Sequence, residues 1–577
     1  MYTQHKLLIA NRGEIAVRII QACQDLGIRS VAVYADDDIE SLYVQYADEA
    51  WALSGVTAKE TYLDIDKILA IARQAQVTMI HPGYGFLSER ADFAQAVINA
   101  GLIWIGPSPE SIEKLGDKIE ARKIAQSVGA PLVYGTDQPL NSAAEAVTFA
   151  QQYGLPIAIK AAYGGGGRGL KVAWRLDEVA DLYESAVREA QAAFGRGECF
   201  VEQYLENPRH IEAQIIADQH GQVVVVGTRD CSLQRRNQKL VEEAPAPFIN
   251  EQIYQQIIQS SVNICQMAKY VGAGTVEYLL SQDNKLSFLE VNTRLQVEHP
   301  VTEQTTGVDL VVEQIRIALG QPLSIQTTPK PQGHAIEFRI NAEDPARGFI
   351  PAFGRITRFD APSGIGIRLD RGVGSGSLVS SHFDSLMAKL IVTGATREIA
   401  IQRAKRALVH FKLEGVASVL PFHQAILTQP DFVNEFKIHT RWIEQECSLD
   451  FAVQPRSQRS DQVTLQRHHI EIDGKLHEVG LPLGIFQMES KHRPVVYDEV
   501  ERIPKNGNAV LAPINGAITD WKIKEQDQVQ QGEVIAIMEA MKMEVPVIAH
   551  RTGRIRHLMD INRTINADEE IARIEVE

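Results

Sequence analysis

The sequence predicts a multidomain chain of mixed α/β and α+β architecture that ends in a small all-β domain. Three observations carry that prediction. At 577 residues the chain exceeds what one hydrophobic core sustains, so several domains are expected. Its opening stretch alternates apolar strand runs with apolar positions at helical spacing, the pattern of a doubly wound sheet. Its end contains an internal repeat at a 37-residue offset, as from Ala512 to Ala549.

Residues 6–10 read as a buried strand. The helix Gly13–Leu26 follows because Ile15, Ile19, Ile20, Cys23 and Leu26 recur at helical spacing, and Arg29–Tyr34 is the next strand. The pattern continues through residues 79–80 and 103–105, so residues 1–113 are expected to form one Rossmann-like unit. After Gly116 the character changes. Strands at 156–162 and 170–174 flank a glycine run, a helix covers 176–194, and further strands recur at 198–203, 210–217, 223–227, 275–280 and 286–291. Residues 114–332 thus read as an α+β unit with antiparallel hairpins. Residues 333–446 mix strands, such as 335–340, with a helix around 398–411. Residues 447–506 read as a linker with one small β segment, alternating about the turn Asp473-Gly474. In residues 507–577, Ala512, Gly516, Ile518 and Val534 align with Ala549, Gly553, Ile555 and Ile571, which predicts a two-fold β sandwich.

A net charge of −15 argues against a nucleic-acid binder, which needs a basic face. The scattered cysteines contain no CxxC pair, so neither a disulfide framework nor a zinc site is expected. There is no apolar leader at the start and no run of 18 apolar residues, so a cytoplasmic protein is expected.

Four groups of residues carry chemistry. The glycine run Gly164–Gly169 lies between two strands, where bare N–H groups can fold over phosphates, with Lys160 upstream to offset their charge. A flexible loop without a ligand is the competing reading. Glu277, Glu290 and Asn292 supply the oxygens that Mg2+ prefers, and Glu290 and Asn292 share one face of a strand. Polar residues alternating on a strand otherwise mark a solvated face. Arg294 and Glu298 form a guanidinium and carboxylate pair suited to a small planar anion and a general base, or a structural ion pair. Finally, Glu539-Ala-Met-Lys-Met-Glu544 falls between the two halves of the repeat and puts Lys542 on the connecting hairpin. That motif in that setting closely resembles biotinyl carrier domains; lipoyl domains share the fold but set their lysine differently.

Residues 5–446 resemble the ATP-grasp biotin carboxylases. The resemblance runs through Ala10-Asn-Arg-Gly-Glu-Ile15, His81-Pro-Gly-Tyr-Gly-Phe-Leu-Ser-Glu89, Gly116-Asp-Lys118, Arg229-Asp-Cys-Ser-Leu-Gln-Arg-Arg236, Glu290–Glu303 and Arg339-Ile-Asn-Ala-Glu-Asp344. With the carrier fused, the whole chain resembles the α subunit of actinobacterial-type acetyl-/propionyl-CoA carboxylases. The resemblance implies an N-terminal biotin carboxylase domain, an ATP-grasp domain with a glycine-rich lid, a biotin carboxylase C-terminal domain and a biotinyl domain carrying biotin on Lys542. It implies ATP contacts at Lys118, Lys160, Gly165, Gly166, Glu202, Leu205, His210, Gln234 and Asn237. It implies Mg2+ or Mn2+ at Glu277, Glu290 and Asn292, and bicarbonate held by Lys239, Arg294, Gln296 and Val297. Glu298 is implied as general base, Arg339 as the residue stabilising the biotin enolate, and Tyr84 as a neighbour of the ureido ring.

The activity implied is a C–N bond-forming, ATP-dependent ligase reaction that carboxylates the chain's own biotin from bicarbonate. Implied partners are a biotin protein ligase, a separate carboxyltransferase β subunit and further copies of the chain in a homo-oligomer; residues 447–506 are expected as a docking patch for the β subunit on their position and hairpin pattern alone. Two positions depart from the family pattern. Asn237 stands where histidine is usual, and Gln203 where lysine or arginine is common. A carrier or scaffold with an impaired ATP site is therefore the rival reading.

Overall fold

The computed structural model describes residues 2–136, 138–161, 170–194, 196–452, 465–472, 475–482, 508–540, 543–557, 559–561 and 563–575. The N-terminal unit is a five-stranded parallel sheet in the order Glu49–Ala52, Arg29–Tyr34, Lys6–Ile9, Met79–His81, Ile103–Trp104. Leu7 and Ile9 face one apolar cluster and Leu8 the other, because successive strand residues point to opposite faces. The helix Gly13–Leu26 has the bounds expected, and it closes on Gly27 in the left-handed region (φ 70°).

An eight-stranded antiparallel sheet forms the centre. Its order is Leu286–Asn292, Gly272–Leu280, Arg209–Ala217, Val223–Arg235, Gln238–Ala244, His334–Asn341, Leu386–Gly394, Ile367–Arg371. The sheet runs across the expected boundary at 332/333, joined by Gln238–Ala244 and His334–Asn341 in the register Glu242↔Glu337. Val223–Arg235 is longer than the apolar run 223–227 suggested, because Arg229, Asp230, Ser232 and Gln234 are buried polar residues with partners in the fold. A separate three-stranded sheet, Leu170–Ala173, Ile157–Ala161, Cys199–Gln203, packs against the helices Ala143–Tyr153 and Val179–Phe194.

The C-terminal repeat folds as two four-stranded sheets around a core that includes Ala512, Ile518, Ala549 and Ile555. Each sheet takes two strands from each half of the repeat, as the two-fold sandwich requires. The strands Val534–Ala540 and Met543–Ile548 pair up to Ala540↔Met543; Lys542, the expected attachment point, lies outside the described residues, as do Gly165 and Gly166. Leu465–Ile472 and Lys475–Pro482 pair as the hairpin expected within 447–506, with the turn residues Asp473 and Gly474 outside the described set. The five cysteines are free. Among the described residues no helix is long and apolar enough to cross a membrane.

Candidate active site

One face of the central sheet gathers buried polar side chains from adjacent strands. His210, Glu212 and Gln214 alternate along Arg209–Ala217. Cross-strand pairing sets Glu212 beside Arg229 on one side and Glu277 on the other, and sets Glu277 beside Glu290 and Thr275 beside Asn292. The hairpin joining Val223–Arg235 to Gln238–Ala244 adds Lys239, opposite Gln234. Period-2 alternation therefore builds a single polar layer from five strands.

Arg229 anchors that layer. It is fully buried, and its guanidinium donates to Glu212 (2.9 Å), Gln214 (2.6 Å), Thr302 (3.1 Å), Thr275 (3.1 Å) and Gln296 (2.9 Å). The Lys239 ammonium sits among three carboxylates, in contact with Glu212, 3.1 Å from Glu277 and 2.8 Å from Glu298. The second Glu298 oxygen accepts from Arg339 at 2.9 Å, while Arg339 Nε donates to Glu242 at 2.5 Å. Burial alone would raise the Glu298 pKa, but the charges of Lys239, Arg339 and Arg229 outweigh it and hold the carboxyl well below its usual range. Glu298 is thus an ionised carboxylate flanked by cationic donors. Glu242 behaves oppositely: burial pushes it up to about 7, against the opposing pull of Arg339.

Glu277, Glu290 and Asn292 present an all-oxygen set on neighbouring strands, which fits a hard cation such as Mg2+. Glu277 accepts from Asn292 (2.8 Å) and Gln296 (2.7 Å), and Glu290 lies 3.3 Å from Lys118. Burial raises the Glu277 pKa, yet Lys239 and His210 draw it well below the carboxylate range. Arg294 donates to Asn292 (3.1 Å) and lies 3.1 Å from Glu89, tying the loop after Leu286–Asn292 to the N-terminal unit.

The residues expected around the nucleotide fall into three places. Lys160 contacts Glu202 across the three-stranded sheet, and Arg122 approaches the same carboxylate at 3.5 Å. Gln234 bonds His210 (3.4 Å), whose far nitrogen lies 3.1 Å from Glu277, so these two belong to the polar layer. Leu205 is half-buried just beyond Cys199–Gln203, and Gln203 bonds the Tyr153 carbonyl at 2.9 Å. Asn237 is exposed at the tip of the Lys239 hairpin. It and Arg236 have φ values of 64° and 48°, the two-residue turn with both centres left-handed that favours asparagine.

Tyr84 lies within the N-terminal unit, in the loop after Met79–His81, its hydroxyl bonded to Glu14. Asn11 donates to the carbonyls of Pro82 (2.7 Å) and Tyr84 (2.8 Å), which gives the two N-terminal motifs a shared purpose: one holds the other's loop. Val297 contributes its backbone carbonyl, which accepts from Lys389 at 2.9 Å.

Sequence reasoning missed Glu212, Arg229, Glu242, Glu14 and Lys389. The alternation of His210, Glu212 and Gln214 within an otherwise apolar strand was the available signal, since an unpaired charge in such a strand is costly and a paired one implies a network.

Comparison with known proteins matches four stretches of the chain. Residues 3–112 match the biotin carboxylase N-terminal domain, 117–326 the carbamoyl-phosphate synthase L chain ATP-binding domain, 337–445 the biotin carboxylase C-terminal domain, and 502–574 the biotin-requiring enzyme domain. A biotin-dependent acyl-coenzyme A carboxylase alpha3 subunit of Mycobacterium leprae is 53% identical, over 96% of this chain and 95% of its own. The biotin carboxylase of Halalkalibacterium halodurans is 48% identical over 74% of this chain and 94% of its own. Among solved structures, the biotin carboxylase domain dimer of Hydrogenobacter thermophilus 2-oxoglutarate carboxylase, in complex with MgADP, ADP and bicarbonate, superposes with a TM-score of 0.72 at 42% identity. It covers 76% of this chain and 97% of that one.

Proposed function

The chain belongs to the biotin-dependent acyl-CoA carboxylase α subunits, a biotin carboxylase fused to its biotinyl carrier, and we propose that it carboxylates the biotin on its own Lys542 and passes the carboxyl group to a carboxyltransferase β subunit of acetyl-/propionyl-CoA type. Biotin, ATP and Mg2+ are its cofactors.

The observation that carries the reading is the ionised Glu298 bracketed by Lys239 at 2.8 Å and Arg339 at 2.9 Å. Glu298 takes the proton of bicarbonate, while Lys239, Arg294, Gln296 and the Val297 backbone hold the anion. The anion so formed attacks the γ-phosphate of ATP, and ADP leaves. The resulting mixed anhydride breaks down to CO2 and phosphate. Lys118 and Lys160, with Gly165 and Gly166, steady the nucleotide phosphates, Glu202 and Leu205 its base, and His210, Gln234 and Asn237 its ribose side. Glu277, Glu290 and Asn292 would hold Mg2+, which offsets charge on the transferring group when bound. Biotin, when bound, would offer its ureido nitrogen to the CO2, the N–H proton passing to the phosphate released with it, with Arg339 and Tyr84 lining its approach. A biotin protein ligase must load Lys542, self-association of the carboxylase core is expected, and a cytoplasmic location fits this chemistry.

The rival scaffold reading leaned on Asn237, whose identity has a backbone reason in the turn it occupies. Glu298→Gln tests the proposal. Bicarbonate- and free-biotin-dependent ATP cleavage should fall by roughly 10²–10⁴-fold with nucleotide binding retained. Turnover at the parent rate would contradict it.

A further inference from the structure

Lys389 lies on Leu386–Gly394, is fully buried, and takes no part in the chemistry proposed for Glu298. Its ammonium donates to the Val297 carbonyl at 2.9 Å and pairs with Glu14 at 3.0 Å. The other Glu14 oxygen accepts from the Tyr84 hydroxyl, and the ammonium itself lies 6.0 Å from the centre of the Tyr84 ring. One buried charge therefore joins three stretches distant in sequence: the loop carrying Glu298, the start of helix Gly13–Leu26, and the loop carrying Tyr84.

Packing alone gives no reason for a cation here. The neighbouring strand residues Ala388 and Leu390 are fully buried and apolar, and taking an ammonium out of water costs several kcal/mol before any pairing. The anchor points are themselves fixed. A Cβ on Gly372 would come within 2.7 Å of the Glu14 backbone nitrogen, so only glycine lets that chain abut the helix start. Asn11 clamps the Tyr84 loop from the other side. Asp370 faces Lys389 across the sheet, and the buried Glu337 carboxyl also acts on its charge.

We infer that Lys389 is a positioning residue: it holds the Val297 carbonyl, and so the adjoining Glu298, in register with Tyr84, coupling the bicarbonate pocket to the edge where the biotin ring enters. The inference rests on the roles given to Glu298 and Tyr84. It requires that loss of the bridge disturb bicarbonate and biotin while sparing ATP. Lys389 is anchored on the loops of Val297 and Tyr84, whereas Lys160 and Glu202 stand on the separate three-stranded sheet.

The test compares Lys389→Met, Glu14→Gln, the double variant and Glu298→Gln in the full chain, with free biotin and melting followed in parallel. Lys389→Met alone strands a buried carboxylate and risks unfolding. The double variant removes both charges and leaves an amide to bond Tyr84, so it should melt near the parent. Expected for the double variant is a rise of about tenfold or more in KM for bicarbonate and for biotin, with KM for ATP within about twofold. Parent-like KM values for bicarbonate and biotin would overturn the inference and reduce Lys389 to a counter-ion of Glu14. Should the double variant fail to fold, Glu14→Gln decides. It keeps the Lys389–Val297 link, so KM for biotin should rise without KM for bicarbonate, and an equal rise in both would overturn the inference. An active Glu298→Gln would instead overturn the underlying assignment of the base.

Discussion

Replacing Arg229 with methionine should unsettle the carboxylate layer from beneath. A guanidinium carries five N–H donors, and all five are used, on Glu212, Gln214, Thr302, Thr275 and Gln296. Removing one partner of a buried ion pair costs ~3–5 kcal/mol, because a desolvated charge is left behind. Glu212 retains Lys239, which places the expected loss at the lower end, about 3 kcal/mol. The freed Glu212 also competes with Glu298 for Lys239, and Gln296 loses its anchor, so bicarbonate-dependent turnover should fall with stability. Adding Glu212→Gln removes the stranded charge and should return about 2 kcal/mol. The assay is urea unfolding of the full chain, read as the shift in midpoint at constant slope. A loss below about 1 kcal/mol for Arg229→Met, or a double variant less stable than the single, would refute the view that Arg229 holds this layer.

Two further outcomes follow from other parts of the molecule. Glu243 is buried between His334 (2.7 Å) and Arg397 (2.6 Å); burial opposes its ionisation, but these partners bring its pKa down to about 2. Because the folded value lies below the unfolded one, its stabilisation is present above about pH 4.5 and is lost as pH falls toward 2, about 3 kcal/mol in all. Acid titration of Glu243→Gln should show a shallower loss of stability between pH 5 and 3 than the parent, and an unchanged slope would count against the assignment. Asn237→His should fold as the parent does, since histidine also tolerates a left-handed centre, and should lower KM for ATP; an unchanged KM would confine Asn237 to its turn.

Local periodicity carried the elements that depend on local periodicity. Helix Gly13–Leu26 was legible because its apolar residues recur along one face, and the carrier sandwich because Ala512 and Gly516 recur as Ala549 and Gly553. The continuous eight-stranded sheet was not, since pairing Glu242 with Glu337 joins strands almost a hundred residues apart and leaves no local trace. The site divides in the same way. Glu277, Glu290, Asn292, Arg294 and Glu298 stand close together in sequence and were singled out by their chemistry. Arg229, Glu212 and Lys389 were missed because a charged residue on a strand reads first as a solvated face, and only the fold supplies the partners that let each be buried.

The central claim is that this chain carboxylates biotin and carries the product on Lys542. The direct measurement is bicarbonate-dependent ATP cleavage by the purified, biotinylated chain beside Lys542→Ala, each with free biotin, together with transfer of label from bicarbonate to protein. Both proteins should cleave ATP when free biotin is supplied, and only the parent chain should become labelled. Absence of biotin-dependent turnover in both, with folding intact, or labelling of Lys542→Ala equal to that of the parent, would contradict it.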